Sequence, residues 1–364
     1  ITVVFPLNGV GMTTARDSFV IDRNKNALEN RIRLFKNSKY SDDDLHEFFQ
    51  INKKKGWGIR KAWNMLQSIS DSDLSKFIHP VLYRPFDVQW IFYHDAVVWR
   101  TVKRVMRHMM RENLGLLTCR QQNKVGFYHA LVCENIVESC AVSNRTREIN
   151  YLFPLYLYAS ADKNEMFEDD TTTSERQPNI SSELFDKLSQ LYGKNASPEE
   201  IFYYIYAIFY SDIYRTKYAE FLKTDFPRIP FTKAYNLFSK MAEYGEKLVD
   251  LHLLKSAELD PPVAKFQGEG DNIVAQLKYE EEKVYINKNQ YFEGIKKEVW
   301  KYQIGGYQVC SKWLKDRKGR RLSLDDIKHY CKIVTSLQKT IEIQKVIDGI
   351  YLEVEKETVE WGDI

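Results

Sequence analysis

HPVLYRPFDVQWIFYHD, residues 79–95, decides how the first part of this chain is read. Aromatic and β-branched residues alternate along it, and Pro80 and Pro85 oppose a continuous helix, because proline lacks an amide donor and pushes the preceding residue toward extended backbone. The pattern predicts two extended strands joined by a tight turn. Working outward, 114–119, 130–133 and 151–158 also have strand composition, while 10–21 (VGMTTARDSFVI) reads as a turn running into a β-branched strand. Residues 42–77 are polar and helix-rich, and 103–111 looks helical. The first 160 residues are therefore expected to form a mixed region built on a mostly antiparallel sheet.

Between 160 and 178 the composition turns acidic and rich in Ser and Thr, which suits a linker or surface loop. Beyond it the periodicity becomes helical. Ser197-Pro198-Glu199-Glu200 combines a cap, a first-turn proline and early carboxylates ahead of IFYYIYAIFYS. Leu237, Met241, Tyr244, Leu248 and Leu251 share one face of a second helix. After a turn-rich break at 260–270, residues 273–277 and 283–286 suggest a β-hairpin. A final helix opens at Ser323 with Asp326 in a capping-box arrangement and carries Ile327, Tyr330, Val334, Leu337 and Ile341. The expected fold is α+β and two-lobed: a mixed part at 1–159, the acidic segment 160–178, a helical lobe at 179–259, and a hairpin, basic segment and packing helix at 260–364.

With 364 residues the chain is long enough for two or three subdomains. Twenty-three Tyr and twenty Phe imply interiors and interfaces built from large rings with polar edges. The net charge is only +3, so a nucleic-acid role would have to come from local patches. Cys119, Cys133, Cys140, Cys310 and Cys331 are widely spaced and never form C-x-x-C, which favours a reduced, intracellular compartment. The chain lacks the roughly 18 consecutive apolar residues of a membrane span, and no signal-peptide pattern is present. A chain starting at Ile1 in ITVVFPL is expected to be a piece of a longer polypeptide.

Catalytic patterns are weak throughout. The sequence contains no G-x-x-x-x-G-K-[ST], H-E-x-x-H or G-x-S-x-G. FQGEG at 266–270 mimics a turn beneath S-adenosylmethionine, and DPPV at 260–263 mimics an adenine-holding motif, but Val263 cannot stack on an extruded base as an aromatic ring would. The two strings also stand too close together and in the wrong order. Glu281-Glu282-Lys283 and Asp316-Arg317-Lys318 have an acid-x-Lys form without a second carboxylate on an obvious neighbouring strand. The chain by itself is expected to be non-catalytic and to hold no cofactor.

The informative residues are basic. Lys312, Lys315, Arg317, Lys318, Arg320 and Arg321 face a single anion, Asp316, between 307 and 321, interleaved with Tyr307 and Trp313. Such a cluster can neutralise phosphates and stack on bases or sugars, and Gly305-Gly306 would let backbone approach a ligand. Arg100, Lys103, Arg104, Arg107 and Arg111 recur at helical spacing beside His108. Arg120, Gln121, Gln122, Asn123 and Lys124 offer the paired donors and acceptors that read guanine and adenine in a major groove. Arg145 and Arg147 form a smaller cluster. Each run also reads as a solvated face, which leaves two other readings open. One is a protein-interaction or structural module with a non-specific basic surface; the other is a metal-dependent nuclease using Asp316 or Glu281.

TARDSFVI, HPVLYRPFDVQWIFYH, NLGLLTCRQ, YLFPLYLY, PEEIFYYIYAIFYSDIYRTKYAEFLKTDFPRIPF and IGGYQVCSKWLKDRKGRRLS together resemble the C-terminal specificity domain of Type ISP restriction-modification enzymes. They are similar, more loosely, to target-recognition regions of single-chain adenine methyltransferase-endonucleases. The resemblance runs from about residue 9 to 348. It implies a non-catalytic module that reads an asymmetric double-stranded DNA sequence for a larger bacterial cytoplasmic enzyme, which methylates adenine-N6 and cleaves DNA. Its partners would be duplex DNA and the methyltransferase domain of the same polypeptide, with no membrane. S-adenosylmethionine, Mg²⁺ and ATP would belong to the other domains.

Overall fold

The strand pair expected at 79–95 forms as Ile78–Arg84 against Asp87–Phe92, antiparallel, with Phe86 in the left-handed region of the turn (φ 59°). In this computed structural model, which describes residues 1–53, 56–123, 126–159 and 176–360, the pair forms the middle of a four-stranded sheet. Ile21–Asp22 flanks it on one side, and Ile136–Val137 joins the other side in parallel. A second sheet runs in the order Gly9–Val10, Asn150–Pro154, Gly115–Cys119, Ala130–Cys133 and is antiparallel throughout. A third carries Lys265–Gln267, Tyr291–Glu293, Lys283–Tyr285 and Lys278–Glu280. The α+β expectation holds.

Two local expectations shift. Residues 10–21 do not run straight into a strand: Asp17–Val20 is a helical turn ahead of Ile21–Asp22. The Thr14 hydroxyl donates to the Asp17 carboxylate and stabilises that turn against the β-branched pattern. The late hairpin pairs Lys278–Glu280 with Lys283–Tyr285, and not 273–277 with 283–286. Its turn residues Glu281 and Glu282 both have positive φ (49° and 59°), the two-residue geometry that matches strand twist. Of the acidic segment, 160–175 lie outside the described residues, and Arg176–Pro178 form a strand against Tyr156–Tyr158.

Two hydrophobic cores divide the interior. One packs the Ile78–Arg84 sheet and the late hairpin around Phe19, Phe35, Val81, Phe92, Phe292 and Trp313. The other surrounds Pro198–Tyr210, Tyr235–His252 and the N-terminal residues Val4 and Phe5. Ser197 and Glu200 close the capping box that starts Pro198–Tyr210. Gly245 lets Tyr235–His252 lie against it, since a Cβ there would stand 1.9 Å from the Tyr203 carbonyl oxygen. Buried tyrosines keep their hydroxyls bonded: Tyr204 donates to the Pro230 carbonyl at 2.6 Å, and Tyr210 to that of Ala130 at 2.9 Å. Leu324–Lys356, about 50 Å long, joins the two cores, with Tyr330 to Leu337 in the first and Ile343 to Val354 in the second. Among the described residues no helix is long and apolar enough to cross a membrane.

The interior also sets an acid limit. Burial, with Arg107 adding repulsion, holds His108 down at about 4; burial and Arg215 hold His252 at about 3. Both folded values lie below the unfolded value of 6.5, so the unfolded chain binds more protons and stability falls as pH drops from 6.5 toward those values. At pH 5 the two together are expected to remove roughly 4 kcal/mol, at about 1.4 kcal/mol per group per pH unit. Urea midpoints measured between pH 7 and 5 check this, and replacing His252 by Gln should flatten the decline.

Candidate nucleic-acid interface

One end of the Gly9–Val10 sheet gathers the candidates at 120–123, Arg145 and Arg147. Cys119 pairs with Asn150, Thr118 with Ala130, and the Gly11 amide donates to the Asn150 carbonyl. The segments 11–13, 120–123, 126–129 and 139–149 therefore all leave the sheet at that end. Arg100 joins them through a bridge to Thr13.

The loops there are held from below by a buried carboxylate. Glu148 accepts the Asn123 amide at 3.0 Å, the Ser143 hydroxyl at 2.6 Å and lies 3.0 Å from His129 Nε2. Burial alone would raise its pKa, but these hydrogen bonds outweigh it and hold the group at about 2. Asn123 Nδ2 also donates to the Thr146 carbonyl at 2.6 Å. The result is a fixed platform that exposes Arg120, Gln121, Asn123, Tyr128, Arg145 and Arg147.

Gln122 takes a different role from that expected. Its side chain is buried and donates to the Leu222 carbonyl at 2.9 Å, while its amide donates to that of Lys223 at 3.0 Å. Arg120 Nε reaches Asp225 Oδ1 at 3.0 Å. The short helix Ala219–Thr224 is thus fastened to the 120–123 loop and adds Phe221 and Lys223 to its border, with Arg228 exposed four residues beyond the helix. Sequence reasoning missed these residues, since PEEIFYYIYAIFYSDIYRTKYAEFLKTDFPRIPF reads as scaffold; the apolar Phe221 between Glu220 and Lys223 was the available signal. Lys124 lies outside the described residues.

The basic segment 307–321 splits. Tyr307, Trp313 and Arg317 are 5%, 2% and 6% exposed, so these three are interior groups and not surface contacts. Arg317 stacks on the Trp313 ring at 3.3 Å and donates to Asp87 at 2.9 Å, an ion pair between the basic segment and the Asp87–Phe92 strand. Burial raises the Asp87 carboxyl, and Arg317 with Arg23 more than reverses this and lowers it. Tyr307 donates to the Cys140 carbonyl at 2.9 Å. Gly305-Gly306 likewise serves internal contact: the Gly305 amide donates to the Tyr128 carbonyl at 2.6 Å and the Gly306 amide to that of Val142 at 2.9 Å. Lys315, Lys318, Arg320 and Arg321 are exposed, whereas Lys312 is held by Asp316 at 2.5 Å.

The Arg100 cluster is likewise less regular than its spacing suggests. Lys103–Met106 is one helical turn followed by the tighter turn Arg107–Met109, so no single face aligns all five cations. Arg100, Arg104 and Arg107 are exposed; Lys103 pairs with Asp95, and Arg111 lies 5.2 Å from the Tyr158 ring centroid. The cluster follows the sheet edge from the loop end toward the far end. Asp316 is ion-paired and Glu281 occupies the hairpin turn; among the described residues no group of three or more His, Cys, Asp or Glu is placed to hold a metal ion.

Residues 3–346 match the family described as the Type ISP C-terminal specificity domain. The chain belongs to that family. No curated protein sequence matches it. Among solved structures, this specificity domain is similar to a nuclease-deletion mutant of the Type ISP restriction-modification enzyme LlaGI in complex with a DNA substrate mimic (18% identity, TM-score 0.65, 94% of this chain and 33% of that one). It is also similar to the DrdV–DNA complex (22%, 0.69, 96% and 36%). A third likeness is to the ATP-dependent Type ISP enzyme LlaBIII bound to DNA (19%, 0.70, 94% and 23%). The domain thus spans about a quarter to a third of those chains.

Proposed function

We propose that this specificity domain reads a short duplex DNA sequence for a restriction-modification enzyme of the bacterial cytoplasm, with its loop end against the bases and its exposed cations on the phosphates. The observation that carries the reading is the Glu148 platform, which presents Gln121 and Asn123 beside Arg120, Arg145 and Arg147. Base discrimination needs donors and acceptors at fixed positions, and phosphate contacts need cations that can reach outward. Arg100, Arg104 and Arg107 supply such cations from one segment, and Lys315, Lys318, Arg320 and Arg321 from another. Family membership and the three DNA complexes support the same reading. On this reading the domain works beside the methyltransferase domain of its own polypeptide, while S-adenosylmethionine, Mg²⁺ and ATP are held elsewhere.

The test is the salt dependence of binding to a mixed-sequence duplex. Arg107→Ala and Arg320→Ala are each expected to reduce the slope of log affinity against log salt by about 0.9, whereas Gln121→Ala with Asn123→Ala leaves the slope unchanged. An unchanged slope in either Arg variant would remove that cation from the interface.

A further inference from the structure

Phe221 is 76% exposed, the most open of the large apolar side chains among the described residues. Single exposed hydrophobics are ordinary on protein surfaces, so exposure alone assigns nothing. Its mounting is the second observation. The next residue, Leu222, is buried, and its carbonyl takes the Gln122 side chain; Lys223 takes the Gln122 amide; Asp225 takes Arg120. The ring is therefore held on a fastened support directly beside the loop that carries Gln121 and Asn123.

The charge around it favours a polyanion. Arg120, Arg145, Arg147 and Arg228 are exposed on this end of the molecule and Lys223 is half-exposed. Arg120 and Asp225 pair with each other, which leaves Glu220 against Lys223, Arg145, Arg147 and Arg228. A phenyl ring has no hydrogen bond to offer a base edge, but its flat apolar face can take the place of a stacked neighbour, as apolar wedges do in proteins that kink DNA.

The geometry points to Phe221 as a wedge that inserts between two stacked base pairs of the duplex, next to the bases read by the 120–123 loop. This rests on the duplex-recognition reading above. The rigid mount gives the wedge a fixed position relative to the reading side chains, so only sites with an easily unstacked step, such as pyrimidine–purine, at that offset bind well. Phe221 would thereby select sequence without a hydrogen bond.

Position-by-position 2-aminopurine substitution in duplexes retained from a random pool tests this. Wild type is expected to raise the fluorescence several-fold at one step. Phe221→Ala, which folds normally because the ring packs against little, should abolish that rise and bind about tenfold more weakly with the same salt slope; Phe221→Trp should restore both. Binding by wild type with no rise at any position, or a rise that survives in Phe221→Ala, would overturn the wedge while leaving recognition standing, and would make Phe221 an apolar contact for a neighbouring protein domain. Failure of wild type to retain any duplex would overturn both.

Discussion

Arg317→Ala is expected to destabilise the domain by about 3–5 kcal/mol, the cost of leaving a buried carboxylate without its main cation. Asp87 is 3% exposed and depends on Arg317 at 2.9 Å, with Arg23 only at 3.5 Å and Gln89 donating at 2.7 Å. The guanidinium also leaves the face of Trp313, so packing is lost with the charge. Arg320→Ala, three residues on and exposed, should change stability by no more than about 0.5 kcal/mol. The two variants therefore separate by assay: urea unfolding reports Arg317, and the salt slope of DNA binding reports Arg320. Wild-type stability in Arg317→Ala would contradict the buried pair.

Gly305→Ala is expected to be nearly as damaging, at about 3 kcal/mol. Gly305 has φ +56°, where an L residue costs about 1–2 kcal/mol, and its Cβ would stand 1.9 Å from the Val142 carbonyl oxygen. Backbone, not a flexible side-chain tip, must give way, which adds a further 1–3 kcal/mol. Movement of Val142 carries Ser143 away from Glu148, and displacement of the amide at position 305 releases the Tyr128 carbonyl. The variant should lose sequence discrimination before it loses general DNA affinity, because the cations at Arg104, Arg107, Lys318 and Arg320 lie on other segments. Hydrogen exchange should quicken at Asn123 and along 141–148; unchanged exchange there would show that the turn does not support the loops.

What could be read from the chain was local. The prolines of 79–95, the Ser197–Glu200 box and the Ser323–Asp326 box each fix an element through residues within a few positions of one another, and each formed where expected. The helical turn at Asp17–Val20 was missed because one hydroxyl-to-carboxylate bond outweighs a β-branched pattern. Arg317 could not be separated from its exposed neighbours, since the deciding partner, Asp87, is 230 positions earlier. Gln122 presented the same difficulty: its amide chemistry suits base reading, but carbonyls 100 positions away claim it first. Gly305-Gly306 suggested close approach to a ligand, and only the fold shows that the approaching groups are the protein's own Val142 carbonyl and Ser143 side chain. The charge pattern marks where cations cluster; long-range packing decides which of them face outward.

The most direct measurement is selection of bound duplexes from a random pool at moderate salt, followed by sequencing, with wild type beside the Gln121→Ala, Asn123→Ala double variant. Recognition by the Glu148-supported loops predicts one short asymmetric site enriched by wild type, with information lost at particular positions in the variant. Retention without enrichment, or the same site enriched equally by both proteins, would contradict it.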